Sequence, residues 1–282
     1  MILATEGLVL VDKPPGMTSH DVVDAVRRHL GTRKVGHAGT LDPMATGLLV
    51  LGVGRATRLL RYLGDLPKMY AGTAMLGLET DTLDADGTIV RSSPVTATPQ
   101  EVAAAAAALV GESMQTPPAY SAVKVGGRKL YEAARKGDEL EAPPRPIRVD
   151  AFDVTGFDGT GFAFAVTCSG GTYVRVLVSD VGRALGCGAY LTALRRTAIG
   201  PFAVGEAEPP EAARPLPLER AVAHLPRLPL EAEEALAASH GRPLGPAGIE
   251  GSYAVFDPDG GLIGVYRDHG AMARPEVILA GA

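Results

Sequence analysis

The 282-residue chain is 46% hydrophobic and 21% charged, a composition that excludes a disordered polymer and a coiled coil. Its net charge of −5 argues against a uniformly basic nucleic-acid binder, and no run of about 18 apolar residues is present to cross a membrane. Cys168 and Cys187 are too few for a disulfide framework and suit a reduced, cytoplasmic setting. No basic segment leads into an apolar run near Met1, so no secretory signal is expected. The charge is unevenly spread: residues 1–205 carry a net +1 and residues 206–282 a net −6. Basic residues cluster at Arg27, Arg28, Arg33 and Lys34, at Arg55, Arg58 and Arg61, and at Lys124, Arg128, Lys129, Arg135 and Lys136. Such clusters either track phosphates or form solvated helix faces.

In chain order, Gly7–Val11 reads as a buried strand broken by Asp12-Lys-Pro-Pro-Gly16. Thr18 or Ser19 caps a helix with Val22, Val26 and Leu30 on one face, and Gly31 stops it. A glycine-rich loop runs from Lys34 to Thr46, then a core strand over Leu48–Val53 and one or two helical turns over Ala56–Leu63. Lys68–Leu76 alternates as a strand, and Glu79–Gly87 is an acidic turn. Thr98-Pro-Gln-Glu101 has the cap, the first-turn proline and the glutamate of a helix start, and Ala103–Val110 continues that helix to Gly111. Pro117–Val125, Ile147–Phe157 and Phe162–Cys168 are predicted strands. Val174, Val178, Val181 and Leu185 mark a helix ending at Gly186. Residues 206–229, rich in proline, are expected to be a loose connection. A small unit over 230–282 follows: a helix at Leu230–Ser239 and strands at Tyr253–Phe256, Leu262–Tyr266 and Val277–Leu279.

Val35-Gly-His-Ala-Gly-Thr-Leu-Asp-Pro-Met-Ala-Thr-Gly47 crowds three glycines, a proline, a histidine and Asp42 into one loop before a core strand. Glycines let backbone approach a ligand closely. Leu41 and Met44 beside Asp42 suggest partial desolvation, although a lone loop aspartate is more often a turn residue. Gly52-Val-Gly-Arg-Ala-Thr57 lacks the third glycine and the ribose acid of a dinucleotide loop. Asp84-Ala-Asp-Gly87 fails as a calcium loop, because that frame begins at Thr82 and ends at Ser93.

The Asp42 loop resembles the signature of the TruB family of pseudouridine synthases, close to G-H-x-G-x-L-D-P-x-A-T-G. Further blocks resemble that family in the same order: Asp12–Ser19, Lys68-Met-Tyr70, Gly77–Gly87, Gln115–Lys124, Lys129–Gly137, Cys168–Arg175 and Leu194–Thr197. The resemblance implies an α+β pseudouridine synthase fold over residues 1–205, with a central mixed or antiparallel sheet. It also implies a small PUA-like C-terminal domain over 230–282. The implied activity is isomerisation of uridine to pseudouridine at position 55, in the T loop of tRNA. The chain is expected to act as a monomer on the T-arm stem-loop, without metal or organic cofactor.

The resemblance further makes Asp42 the group that attacks C1′ of the ribose or promotes loss of a neighbouring ribose proton. A carboxylate suits either route, because positive character builds at C1′ as the base departs. Arg175 resembles the arginine paired with that carboxylate, and the expected consequence is an Asp42 pKa lowered by about 1–3 units. Tyr70 corresponds to a tyrosine that stacks on the base and serves proton transfer at C5. Tyr173 and Leu194 line the uracil site, His37 lies beside the extruded nucleotide, and Asp84 orients Arg175 or a neighbouring base. Lys13, Lys124 and Lys129 are expected phosphate contacts. Two alternatives stand beside this one: a guide-RNA-dependent synthase, and an RNA-binding chaperone without chemistry.

Overall fold

The computed structural model describes residues 6–134, 136, 138 and 140–279, so Arg135 and Gly137 of the predicted blocks lie outside the described residues. The apolar run Gly7–Lys13 forms strand β1, and Pro14 and Pro15 end it. Helix α1 (Ser19–Leu30) starts at Thr18, whose hydroxyl accepts the Asp21 N–H while the Asp21 carboxylate accepts the Thr18 N–H. Gly31 ends it with φ +64°. Strands β2 (Val35–His37), β3 (Thr46–Val53), β4 (Lys68–Leu76), β5 (Leu78–Thr80) and β6 (Ile89–Ser92) follow, with two short 3₁₀ turns between β3 and β4. Helix α2 (Pro99–Ala107) has the capping box expected at Thr98 and Glu101. Next come β7 (Gly111–Gln115), β8 (Lys124–Val125), β9 (Arg128–Lys129), α3 (Leu130–Ala134), β10 (Arg145–Phe157), β11 (Gly161–Cys168), α4 (Val174–Ala184), β12 (Ala189–Ile199) and β13 (Phe202–Ala203). The chain closes with β14 (Arg227–Pro229), α5 (Ala232–Ser239), β15 (Ser252–Phe256), β16 (Leu262–His269) and β17 (Met272–Ile278).

Among the described residues the large sheet runs β1-β3-β12-β4-β11-β10-β7, with β2 added on β3 and β13 on β12. Its pairs are antiparallel except one: β3 meets β12 in parallel through Thr46–Arg195 and Gly47–Arg196. Two halves of the sheet therefore join at a short seam, and the Asp42 loop leads into β3 at that seam, at Thr46. Arg195 ties the seam further by a two-armed ion pair to Asp12 of β1, at 3.0 and 2.7 Å. One core lies between the sheet and α2 and α4, and another between β1, β3 and α1. A third fills the space between β1, β3 and the four-stranded sheet β14-β15-β16-β17, so the C-terminal sheet rests on the catalytic one.

Several elements differ from expectation for physical reasons. Strand β12 is central, yet its alternation is interrupted by irregularities near Thr192 and Thr197, which hide the period of two. The strand expected at Pro117–Val125 is mostly irregular, because Pro117 and Pro118 carry no N–H; pairing falls instead to β7, which runs beside Arg145–Val149. Helix α2 stops at Ala107, short of Val110.

The proline-rich connection is packed rather than loose. Its prolines forbid a continuous strand, but Glu208 and Leu216 exchange backbone hydrogen bonds with the outer edge of β1. They satisfy groups that an open edge would leave bare. The basic residues of the second cluster are also committed: Arg55 donates to the Leu279 carbonyl and pairs with Glu6, and Arg58 donates to the Ile278 carbonyl.

Gly47 lies at the seam with φ +98°, and a Cβ there would stand 2.3 Å from the Arg196 carbonyl oxygen. Gly47→Ala combines left-handed strain with a backbone clash, so it should lower stability by about 3 kcal/mol, read by urea unfolding. An unchanged midpoint would show that the seam tolerates spreading.

Candidate active site

Asp42 sits at the tip of the loop between β2 and β3. The loop is held from beneath: Ser19 at the start of α1 accepts the Leu41 N–H at 2.9 Å and donates to the Leu41 carbonyl at 3.2 Å. Lys13 braces the next residue. It is fully buried, and its ammonium donates to the carbonyls of Pro14, Met17 and Pro43 at 2.9, 2.6 and 3.1 Å. All three of its donors are thereby used. Lys13 is therefore a brace of the Asp42 loop and not a phosphate contact, a correction that follows from its burial.

Arg175 rises from the first turn of α4 and is 4% exposed. Its Nη1 donates to the Thr82 carbonyl (2.9 Å) and to Asp84 Oδ2 (3.3 Å), and its Nη2 donates to the Tyr120 carbonyl (2.5 Å). The remaining nitrogen, Nε, has no hydrogen-bond acceptor in good geometry and faces Asp42 Oδ2 at 3.5 Å. Asp84 is itself buried and fixed: its Oδ1 accepts from the Thr82 hydroxyl (2.5 Å) and the Asp86 N–H (3.1 Å). Three of the predicted residues thus form one chain, Asp84 to Arg175 to Asp42.

The charge balance differs from expectation. The Asp42 pKa is raised above 3.8, not lowered. Burial pushes it up most, Arg175 pulls it down, and Asp84 and Asp86 push it up again. The side chain is still 37% exposed, because one edge of the carboxylate opens on the cleft. The arginine is shared between two acids, so its pull on either is diluted.

That cleft has a volume of about 1000 Å³. Tyr70 of β4, Leu194 of β12, Tyr173 and His37 all line it, together with Asp42, Asp84 and Arg175. Gln115 clamps Tyr173 by its backbone, accepting its N–H at 2.8 Å and donating to its carbonyl at 3.2 Å. The guanidinium of Arg145 lies 4.8 Å from the Tyr173 ring centre. His37 is held below its usual pKa of 6.5, first by burial and then by Arg196 and His20, so its ring is neutral at pH 7. Lys129 reaches the cleft mouth, while Lys124 is exposed on β8 and does not line it. Sequence reasoning assigned no role to Lys68 and Arg196, two buried cations in the lining. The signal was present in the Lys68-Met-Tyr70 and Leu194-Arg-Arg-Thr197 blocks, but a buried arginine in a strand cannot be told from an exposed one by period alone.

This fold is that of the pseudouridine synthases. A solved H/ACA RNP bound to a substrate RNA containing 2′-deoxyuridine has TM-score 0.73 and 25% identity, over 96% of this chain and 84% of that one. A Cbf5-Nop10-Gar1 complex has TM-score 0.74 and 27% identity, over 97% and 85%. Family models for the TruB pseudouridylate synthase N-terminal domain, a tRNA pseudouridylate synthase B C-terminal domain and the tRNA pseudouridine synthase II C terminus match residues 27–174, 175–210 and 225–280. Proteins named tRNA pseudouridine synthase B from Mycobacterium sp. (strain KMS) and Corynebacterium aurimucosum are 47% and 45% identical. They align over 97% and 98% of this chain and 96% and 99% of their own lengths. The chain belongs to the TruB family, and its enzyme class is isomerase.

A carboxyl with a raised folded pKa contributes stability below its unfolded pKa and loses that contribution as pH rises through the folded value. Asp42→Asn removes that loss. The variant should therefore gain Tm relative to the parent as pH is raised from 4 to 7.5, followed by thermal melts. A gap that shrinks over that range would mean that Arg175 outweighs burial.

Proposed function

We propose that this enzyme isomerises uridine to pseudouridine at position 55, in the T loop of tRNA, acting on an extruded nucleotide. The observation that carries the proposal is the Asp42 carboxylate at one side of a roughly 1000 Å³ cleft, 3.5 Å from a guanidinium anchored on Asp84. The names of the aligned relatives support tRNA as the RNA.

Extrusion costs a few kcal/mol of stacking, and flat partners in the pocket offset it. Tyr70 and the neutral His37 ring supply such surfaces. Asp42, ionised, either bonds to C1′ as the C1′–N1 bond breaks or takes the C2′ proton; the electron pair of the broken bond leaves with the base in both routes. Arg175 fixes the carboxylate without silencing it, since the Asp42 pKa is not depressed. The freed uracil anion turns about its ring and C5 bonds to C1′, as the Asp42–C1′ bond breaks in the first route or as the proton held by Asp42 returns to C2′ in the second; the C5 proton then leaves, with Tyr70 placed to guide it, and N1 takes up a proton. A site of this volume holds one nucleotide and leaves room for that rotation.

Asp42→Asn should reduce single-turnover pseudouridine formation on an unmodified T-arm stem-loop by at least about 10⁴-fold, with RNA affinity nearly unchanged. Product would be mapped by chemical labelling and affinity by filter binding. Retained turnover would remove Asp42 from the chemistry. RNA binding by the parent without product would favour a chaperone, and product only with added guide RNA would favour a guide-dependent enzyme.

A further inference from the structure

Two cations in the cleft have no acid to balance them. Lys68 opens β4, is 4% exposed, and lies two positions from Tyr70, hence on the same face of the strand. Its ammonium donates to the carbonyls of Gly64 (2.7 Å) and Leu66 (3.0 Å), which leaves one donor. Arg196 of β12 is 1% exposed and is the register partner of Tyr70. Its guanidinium donates to the carbonyls of Leu48, Thr40 and Gly39 at 2.7, 3.4 and 3.1 Å. Neither cation has a carboxylate within 4.0 Å among the described residues, whereas Arg175 faces both Asp42 and Asp84. The influences of charge on Lys68 are Arg196, Cys168 and the exposed Asp65; burial with Arg196 beside it holds its pKa down to about 8. Buried charge without a counter-charge is costly and needs a use.

The cleft is therefore polarised. Around Asp42 the carboxyls of Asp42, Asp84 and Asp86 outnumber Arg175 and Lys13. Lys68 and Arg196 lie instead beside Tyr70, which senses both Arg196 and Asp42. Gly39, with φ +102°, lies against both cations: a Cβ there would be in van der Waals contact with Lys68 Cε at 3.5 Å and Arg196 Nη1 at 3.7 Å. Breaking a glycosidic bond separates charge in the same sense: the sugar becomes positive, and the base takes the electron pair, spread over N1, O2 and O4. We propose that Lys68, with Arg196, forms the anion-stabilising end of the cleft and holds the negative charge that develops on uracil as C1′–N1 breaks.

This deepens the proposed reaction and rests on it. The two cations act on the base, and Asp42 acts on the sugar. Preorganised charge aimed at the position where charge appears in the transition state is commonly the largest contribution to catalysis. A flanking phosphate is the less fitting anion, because both cations are almost fully buried, beside the buried Tyr70, where a strongly hydrated phosphate would have to be desolvated.

The test compares leaving groups. T-arm stem-loops carrying uridine or 5-fluorouridine at the target position are incubated with parent, Lys68→Met and Lys68→Gln enzyme under single-turnover conditions. Loss of the original nucleoside is followed in digests. Fluorine stabilises the departing anion, so that substrate depends less on the protein's charge. Lys68→Met should lose about 10²-fold in rate on uridine and clearly less on 5-fluorouridine, with RNA affinity within about twofold. Lys68→Gln keeps donors for the Gly64 and Leu66 carbonyls without the charge, and it should show the same pattern; it also serves if the Met variant fails to fold. Equal losses on both bases, or restoration by Gln, would mean that Lys68 only braces the loop, and the inference would be overturned. A parent enzyme that makes no pseudouridine from uridine would instead overturn the proposed reaction itself.

Discussion

Four nitrogen contacts of one buried guanidinium organise the Asp42 side of the cleft. Arg175 comes from a helix, Asp84 from the loop after β5, Tyr120 from an irregular connection, and Asp42 from the loop before β3. Carbonyls and Asp84 take the two terminal nitrogens and leave Nε toward Asp42. A planar, permanently charged fork can hold several partners in fixed directions, which a lysine at the same position could not. The cost of burying it is offset by two acids and two carbonyls. The arginine orients Asp42 and pulls its pKa down, but burial, with Asp84 and Asp86, outweighs that pull, so the carboxyl is held above its ordinary pKa.

The sheet explains why this meeting is possible. Its two antiparallel halves join at a short parallel seam between β3 and β12, and the loop bearing Asp42 runs into β3 at that seam. Arg196, at the seam, ties the carbonyls of Gly39 and Thr40 on that loop to β12. Lys13 ties the other flank through Pro43. The loop is thus held from both sides by cations that spend their donors on backbone carbonyls. Gly47 permits the close approach that the seam requires.

The C-terminal sheet has a different electrostatic character, and its contacts are correspondingly distinct. It packs on the face of β1 and β3 through Phe256, Val265 and Val277. Arg55, Arg58 and Tyr62 fasten it, the last through Glu276 at 3.0 Å. Arg55 and Arg58 thereby spend donors on the C-terminal sheet, while Arg58 and Arg61 remain exposed. Lys129 and Arg145 are cations that line the cleft.

Local signals in the sequence determined a good deal. Capping at Thr18 and Thr98, the stop at Gly31 and the strand Lys68–Leu76 all follow from contacts within a few residues, which composition and period record. The ordered motif blocks likewise singled out Asp42, Tyr70 and Arg175, residues that one cleft brings together. Tertiary structure alone decided the rest. Strand β12 was hidden because its irregularities break the alternation that marks a strand. The fate of each cation was equally illegible: Lys13, Lys68 and Lys124 are the same residue type, yet one braces a loop, one lies buried in the cleft lining and one stands in solvent. The direction of the Asp42 pKa depended on burial and on Asp84 and Asp86, tens of residues away in sequence. Charge acts through distance and desolvation, and a linear sequence carries neither until the chain has folded.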